Sequence, residues 1–283
     1  MAMENTAPVL VCDTVLRDIY RSSAALSLTG EDITSVYRAL DESGYYALEC
    51  WSDQVMDYWR LKEENHPWSD PWEMLAQMKQ AFPETRLQMF LRTRALLAGE
   101  NMTDEALDAY ILQAIESGID IFRVYDAEND RERLVRVMRT IKKYGAAIEA
   151  AFCYRKKTGT NDTTERIVRD LTEAGADILS VMDLNRELTK TSVTRLIEDI
   201  RKWTRIPLNL RVRHADGAGE EILMKAVEAG VDIVDTSLSL FADRFSQPVT
   251  ESFITRMQGV ERDPGLDSSQ LRKASEGLLK AAA

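Results

Sequence analysis

Cysteine is scarce in this 283-residue chain, and the three present stand far apart. Cys12, Cys50 and Cys153 each lie in an apolar run and form no CxxC pair. That argues against a structural zinc site or a disulfide framework and for buried thiols in a reducing compartment. No GxGxxG or GxxxxGK[ST] follows any apolar run, which removes the usual nucleotide-binding motifs. No apolar stretch approaches the ~20 residues of a membrane helix, and Met1–Pro8 has no basic segment followed by an apolar core. The expectation is a cytoplasmic protein without a membrane partner. Positive charge is also in deficit. Lys and Arg number 36 against 47 Asp and Glu, a net charge of −11, so nucleic acid is not an expected partner either.

What is present is enough apolar residue, 45%, to build one large α/β domain, and the expectation is a single domain over 1–283. Eight short β-rich runs alternate with amphipathic stretches. The runs are Val9–Arg17, Tyr45–Cys50, Leu87–Leu91, Ile119–Tyr125, Ala147–Cys153, Ile178–Met182, Leu208–Val212 and Ile233–Leu238. Helical patterns fall at Glu31–Asp41, Asp104–Glu116, Glu132–Lys143, Thr163–Ala174, Thr191–Trp203, Glu220–Glu228 and Ser268–Lys280. Gly44, Gly118, Gly145, Gly175 and Gly230 each end a helix just before the next run. Near-continuous apolar strands alternating with helices predict a (β/α)8 TIM barrel with a C-terminal helix. Ser52–Phe82 is long and carries Trp59, Trp68 and Trp72, which predicts a helical insertion after strand 2. Ala242–Val249 is expected to return over the barrel mouth.

Arginines interrupt the apolar runs. Arg17 closes one, Arg92 and Arg123 close others, and Arg211 and Arg213 alternate with Leu210 and Val212. A buried guanidinium without a partner costs several kcal/mol, so these positions call for carboxylates or an anionic ligand. In a barrel, strand C-terminal ends share one mouth. There the sequence places Arg17, Asp18, Arg21, Glu49, Arg92, Arg123, Asp126, Asp183, Arg211, Arg213 and Asp235.

The segments DTVLRDIYRS (13–22), GYYALECW (44–51), LQMFLR (87–92), GIDIFRVYDAEND (118–130) and EAGVDIVDTSLS (228–239) resemble one family. It is the carboxyltransferase domain of pyruvate carboxylase, the oxaloacetate decarboxylase α-subunit and transcarboxylase, within the DRE-TIM metallolyases. The resemblance runs in order from Val9 to about Asp267 and implies a 2-oxo acid substrate polarised by a divalent metal, with biotin carrying CO2. It also implies metal ligands at Asp18, at a lysine position that reads Met182, and at two histidine positions that read Arg211 and Arg213. The family's catalytic threonine position is Phe245, and its first-loop glutamine and preceding histidine read Arg21 and Tyr20. Spacing from Pro207 and from Gly217 leaves His214 outside the ligand register. A metal beside two guanidiniums would meet about 4 kcal/mol of repulsion per singly charged pair at ~4 Å and an effective dielectric of ~20. The resemblance therefore implies a lost metal site and no cofactor. Biotin is not expected, since no Ala-Met-Lys-Met segment is present and the chain ends before the family's helical extension.

The expected function is a metal-independent carboxyltransferase-like lyase or decarboxylase acting on a small anionic 2-oxo acid or a di- or tricarboxylate. Asp18 and Tyr20 are its candidate acid–base residues. Arg17, Arg21, Glu49, Arg123, Arg211 and Arg213 are its candidate substrate-binding residues. Two alternatives stay open: a catalytically dead homologue serving as partner or ligand sensor for an active paralogue, and an orthodox biotin-dependent transferase. The family further implies a homodimer.

Overall fold

A computed structural model of the chain describes residues 6–20, 30–52, 70–98, 102–156, 162–214, 217–241 and 246–282. Eight parallel strands close into a barrel in sequence order. Strands and helices run β1 (Leu10–Asp13), α1 (Val15–Tyr20), α2 (Gly30–Asp41), β2 (Ala47–Ser52), α3 (Pro71–Ala81), β3 (Arg86–Arg92), α4 (Thr93–Leu97), α5 (Asp104–Glu116) and β4 (Ile121–Asp126). They continue as α6 (Arg131–Lys143), β5 (Ala147–Cys153), α7 (Asp162–Glu173), β6 (Ile178–Asp183), α8 (Lys190–Trp203), β7 (Leu208–Val212), α9 (Ala218–Glu228), β8 (Ile233–Thr236), α10 (Thr250–Met257) and α11 (Ser268–Ala282). This is the expected TIM barrel. Among the described residues, no helix is long and apolar enough to cross a membrane.

Local chemistry sets the helix starts. Thr103 accepts from Ala106 N at 3.2 Å and Asp130 from Arg133 N at 2.9 Å, while Thr189 and Ser192 cap each other reciprocally at the start of α8. The run Val9–Arg17 is not one strand. Asp13 Oδ1 accepts from Val15 N at 2.8 Å, turning the chain, and Val15, Leu16 and Ile19 become the buried face of α1. Arg17 and Asp18 thus ride on a helix and not on a strand end. The described part of Ser52–Phe82 is α3, started by Asp70 and Pro71, with Trp72 edge-on to Tyr110; Trp59 and Trp68 lie outside the described residues. Of the return segment, Ser246–Val249 is described, and Val249 bridges in parallel to Ser237.

The bottom of the barrel repeats one bracket three times. Gly-x-Asp-Ile precedes β4, β6 and β8, at Gly118–Ile121, Gly175–Ile178 and Gly230–Ile233. Each aspartate exchanges two bonds with the preceding strand. Asp120, Asp177 and Asp232 donate their N–H to the carbonyls of Leu87, Ile148 and Leu208, and their carboxylates accept the same residues' N–H at 2.8, 2.9 and 2.7 Å. Lys79, Lys142 and Arg201 reach the three carboxylates from outer helices. Gly118 takes φ +107°, and a Cβ there would lie 2.5 Å from Lys79 Cβ. Before β2 the position reads Tyr46, which keeps the backbone bond to Val11 without a carboxylate. Asp232→Ala is expected to cost about 1–3 kcal/mol by orphaning the Leu208 amide, read as a lowered denaturation midpoint at unchanged m-value.

Side chains inside the barrel form tiers, as alternation along parallel strands requires. The lowest is apolar: Cys12, Ala47, Ile121, Ile178 and Ile233. The next is polar yet enclosed: Gln88, Glu149 and Asn209, with Glu49, Arg123, Ser180 and Asp235 above them. Above it the lining on the β3 to β6 side is apolar again: Phe90, Tyr125, Ala151, Cys153 and Met182.

Candidate active site

Charge is concentrated in and just above the polar tier. Arg123, 0% exposed, donates Nε to Glu149 at 2.7 Å, Nη1 to Glu49 at 2.8 Å and to Asp235 at 2.5 Å, and Nη2 to Asp235 at 2.8 Å. Asn209 donates to Asp235 at 2.9 Å and Gln88 to Glu149 at 2.6 Å. Arg211 Nη1 reaches Glu49 at 2.7 Å and Asp235 at 3.1 Å, and Arg17 pairs with the other oxygen of Glu49. One glutamate thus receives three guanidiniums. Burial alone would raise the Glu49 carboxyl, but Arg17, Arg211 and Arg123 outweigh it and hold the group down at about 2. Burial and the neighbouring Asp235 push Glu149 the other way, above the usual carboxylate range, against the pull of Arg123.

Above this knot a polar relay joins three elements. Arg17 donates Nε and Nη2 to Asp18 Oδ1 at 3.2 and 2.9 Å, and Thr14 donates to Asp18 Oδ2 at 2.8 Å. Gln247, with its amide turned to suit both neighbours, donates to Thr14 Oγ1 at 2.9 Å and accepts from Arg211 Nε and Nη2 at 3.2 Å each. The Arg211 guanidinium carbon sits 5.5 Å from the centroid of Phe90, whose ring stacks on Tyr125. At the outer wall Asp13 anchors the frame. It accepts from Tyr45 at 3.1 Å, from Thr236 at 3.3 Å and from Thr250. Burial raises its carboxyl to about 7 despite the donors Thr250, Val15 and Tyr45.

The structure therefore brings together Arg17, Asp18, Glu49, Arg123 and Arg211 from the predicted set. Arg213 points elsewhere, donating Nε to Leu184 O at 2.9 Å. The side chain of Tyr20 and all of Arg21, with Phe245, lie outside the described residues. An inert mouth predicts pairing of Arg211 and Arg213 with Asp18, Glu49 and Asp183. Of these pairs the Arg211–Glu49 contact is present, and Asp235 supplies a second carboxylate to the same guanidinium. Asp183 instead accepts the amides of Glu187 and Leu188, and Asp126 binds Arg133 and Thr93. Glu149, Gln88, Asn209, Thr14 and Gln247 join the site without having been expected there. Glu149 carries a usable sequence signal, since it interrupts the apolar run AIEAAFC as the arginines interrupt theirs.

The family's divalent metal does not fit these side chains. At the implied ligand positions stand Asp18, already held by Arg17 and Thr14, Met182 within the apolar tier, and the cations Arg211 and Arg213. One carboxylate and a thioether beside fixed positive charge make a poor set for a hard or borderline cation. Among the described residues, no group of three or more His, Cys, Asp or Glu is arranged to hold a metal ion.

No family model matches the chain. Individual relatives do. A pyruvate carboxylase subunit of Methanocaldococcus jannaschii is 32% identical over 273 residues, 96% of this chain and 47% of that protein. The methylmalonyl-CoA carboxyltransferase 5S subunit of Propionibacterium freudenreichii subsp. shermanii is 32% identical over 267 residues, 93% of this chain and 52% of that protein. The carboxyl transferase domain from Rhizobium etli pyruvate carboxylase, solved with pyruvate and biocytin, aligns at a TM-score of 0.85 and 29% identity, covering 98% of this chain and 48% of that one. The chain spans about half the length of these relatives. Agreement of barrel, strand-end motifs and alignment along almost the whole chain leads to one conclusion: it belongs to the carboxyltransferase family of pyruvate carboxylase and transcarboxylase.

Proposed function

We propose that the chain is a carboxyltransferase-like lyase that works on a 2-oxo acid or related carboxylate at the barrel mouth without a metal. The observation that carries this reading is Arg211. Its guanidinium occupies a position where the family has a metal-binding imidazole, is backed by Glu49 and Asp235, and faces the Phe90 ring. A guanidinium is permanently charged and forks onto carboxylate or oxo oxygens, so it supplies part of a metal's electrostatic duty. In a decarboxylation, the bond from the β-carbon to the leaving carboxylate breaks, CO2 departs, and the electron pair becomes an enolate whose oxygen lies against Arg211. Tyr20, or a water molecule oriented by the Asp18 carboxylate, then delivers the proton to carbon, Asp18 being linked to Arg211 through Thr14 and Gln247. That relatives are named for pyruvate and 2-oxoglutarate carboxylation supports the substrate class. A homodimer belongs to the same reading and is checked by sedimentation.

The test is direct. Chelator-treated protein is incubated with oxaloacetate, malonate-type acids and other 2-oxo acids while CO2 release and thermal shift are followed. Turnover insensitive to the chelator and lost in Arg211→Ala is the expected result. Neither turnover nor thermal shift with any acid removes the proposal.

A second reading, a catalytically dead homologue partnering an active paralogue, draws support from Arg123. That guanidinium is enclosed and bonded to three carboxylates, as an internal brace would be. On that reading Arg211→Ala lowers stability and leaves carboxylate binding unchanged.

A further inference from the structure

Arginines stand at two levels of the mouth. Arg211 belongs to the lower level, with its guanidinium over the Phe90 ring. Arg213 lies two residues beyond it, which at the rise of a strand is about 6–7 Å nearer the rim. Its Nε donates to the carbonyl of Leu184 at 2.9 Å, and Leu184 packs against the apolar lining formed by Phe90, Tyr125 and Cys153. Arg155 repeats the arrangement from β5. It lies two residues beyond Cys153 and donates Nη2 to the carbonyl of Ala127 at 2.8 Å. The apolar lining is thus bounded by one guanidinium below and by two at the rim.

The two levels differ in charge. In the lower knot Arg17, Arg123 and Arg211 meet four carboxylates, Asp18, Glu49, Glu149 and Asp235. Even with Glu149 protonated, that knot is only balanced and gives an anion no net pull. The rim is the reverse. Residues 154–156, 183–189 and 213–214 carry four cations, Arg155, Lys156, Arg186 and Arg213, against two carboxylates, Asp183 and Glu187. Asp183 is turned to the amides of Glu187 and Leu188. The Lys156 amide, Asn185 and the charges of Arg155 and Lys156 hold Glu187 below the usual carboxylate range. The carbonyls of Leu184 and Ala127 fix Arg213 and Arg155 without cancelling their charge. On a chain of net charge −11, four against two is a local positive excess beside an apolar surface.

Resting on the proposed function of this same site, we infer that Arg213 and Arg155 form a second anion-binding subsite. The ligand it takes is a 2-oxo acid with a further carboxylate at the far end of a short carbon chain. The 2-oxo end lies toward Arg211, the chain crosses the Phe90 and Tyr125 rings, and the far carboxylate reaches the rim guanidiniums. That far group is retained in the proposed decarboxylation: the carboxylate on the β-carbon leaves as CO2, and the product keeps the other two. Charge-assisted hydrogen bonds from a guanidinium give on the order of tenfold or more in affinity.

Calorimetric titration of the full chain in chelating buffer tests this with 2-oxoglutarate and 2-oxopentanoate, which share a carbon skeleton and differ in the far carboxylate. At low ionic strength 2-oxoglutarate is expected to bind at least tenfold more tightly, and added salt narrows the gap. Arg213→Leu is expected to bring the two affinities within about threefold of each other. Arg155→Leu narrows the ratio in the same direction and reads the subsite should Arg213→Leu fail to fold. Equal or tighter binding of 2-oxopentanoate overturns the inference, as does a ratio unchanged in both variants. In either case chelator-insensitive turnover dependent on Arg211 keeps the proposed function standing. The expected preference without turnover of any acid leaves the subsite standing and removes the lyase chemistry. Binding of neither acid removes the subsite, and the absence of any turnover with it removes both.

Discussion

Arg123→Ala is expected to destabilise the barrel by about 3–5 kcal/mol, the usual cost of removing one partner from a buried ionic network. The guanidinium bonds Glu149, Glu49 and Asp235 together, and its side chain has no solvent exposure. Its loss leaves Glu149 relying on the Gln88 amide, and leaves Asp235 dependent on Arg211 and Asn209. The polar tier around it is only 0–1% exposed, so water does not readily enter to replace the lost donors. The change is read as a drop in the free energy of unfolding in guanidinium chloride; a loss below about 1 kcal/mol would show that the network relaxes around the gap. Weakened ligand binding in an Arg123 variant therefore reports damage to the barrel, and Arg211→Ala is the better probe of recognition.

Glu49→Gln is expected to flatten the acid limb of the stability curve. The folded carboxyl stands at about 2, below its ordinary 4.5, so Glu49 contributes stability that is fully present above about 4.5 and lost as pH falls through about 2. At 1.36 kcal/mol per pKa unit the contribution is on the order of 3 kcal/mol. The variant forfeits it at neutral pH and shows a correspondingly smaller loss between pH 5 and 2. Asp13 acts with opposite sign. Its folded carboxyl is raised to about 7, so stability present below about 4 declines as pH climbs toward 7. Denaturant titrations of both proteins across pH 2–7 isolate Glu49, since the Asp13 contribution is common to them. Parallel curves would mean that the three arginines do not hold Glu49 ionised.

Part of the site is legible in the chain itself. Arg123 and Arg211 each break an apolar run, and interior placement follows from strand alternation alone. Glu149 offers the same signal. The triple Gly-x-Asp-Ile bracket is legible too, because its period follows the order of even-numbered strands along the chain. Arg17 is misplaced on a strand by such a reading, since Val15, Leu16 and Ile19 fit either a strand run or a one-sided helix. Asp13 turning back onto Val15 decides between them.

The barrel and its family follow from the order of residues alone. Apolar periodicity, glycine after five of the helices and ordered motifs are local or serial properties, so they survive being read one residue at a time. Partnership was decided only in three dimensions. Glu49 meets Arg17, Arg123 and Arg211 from positions up to 162 residues distant, and Gln247, 233 residues from Thr14, links that threonine to Arg211. Barrel closure sets those meetings, because tilted strands bring the same tier of side chains together from every part of the chain.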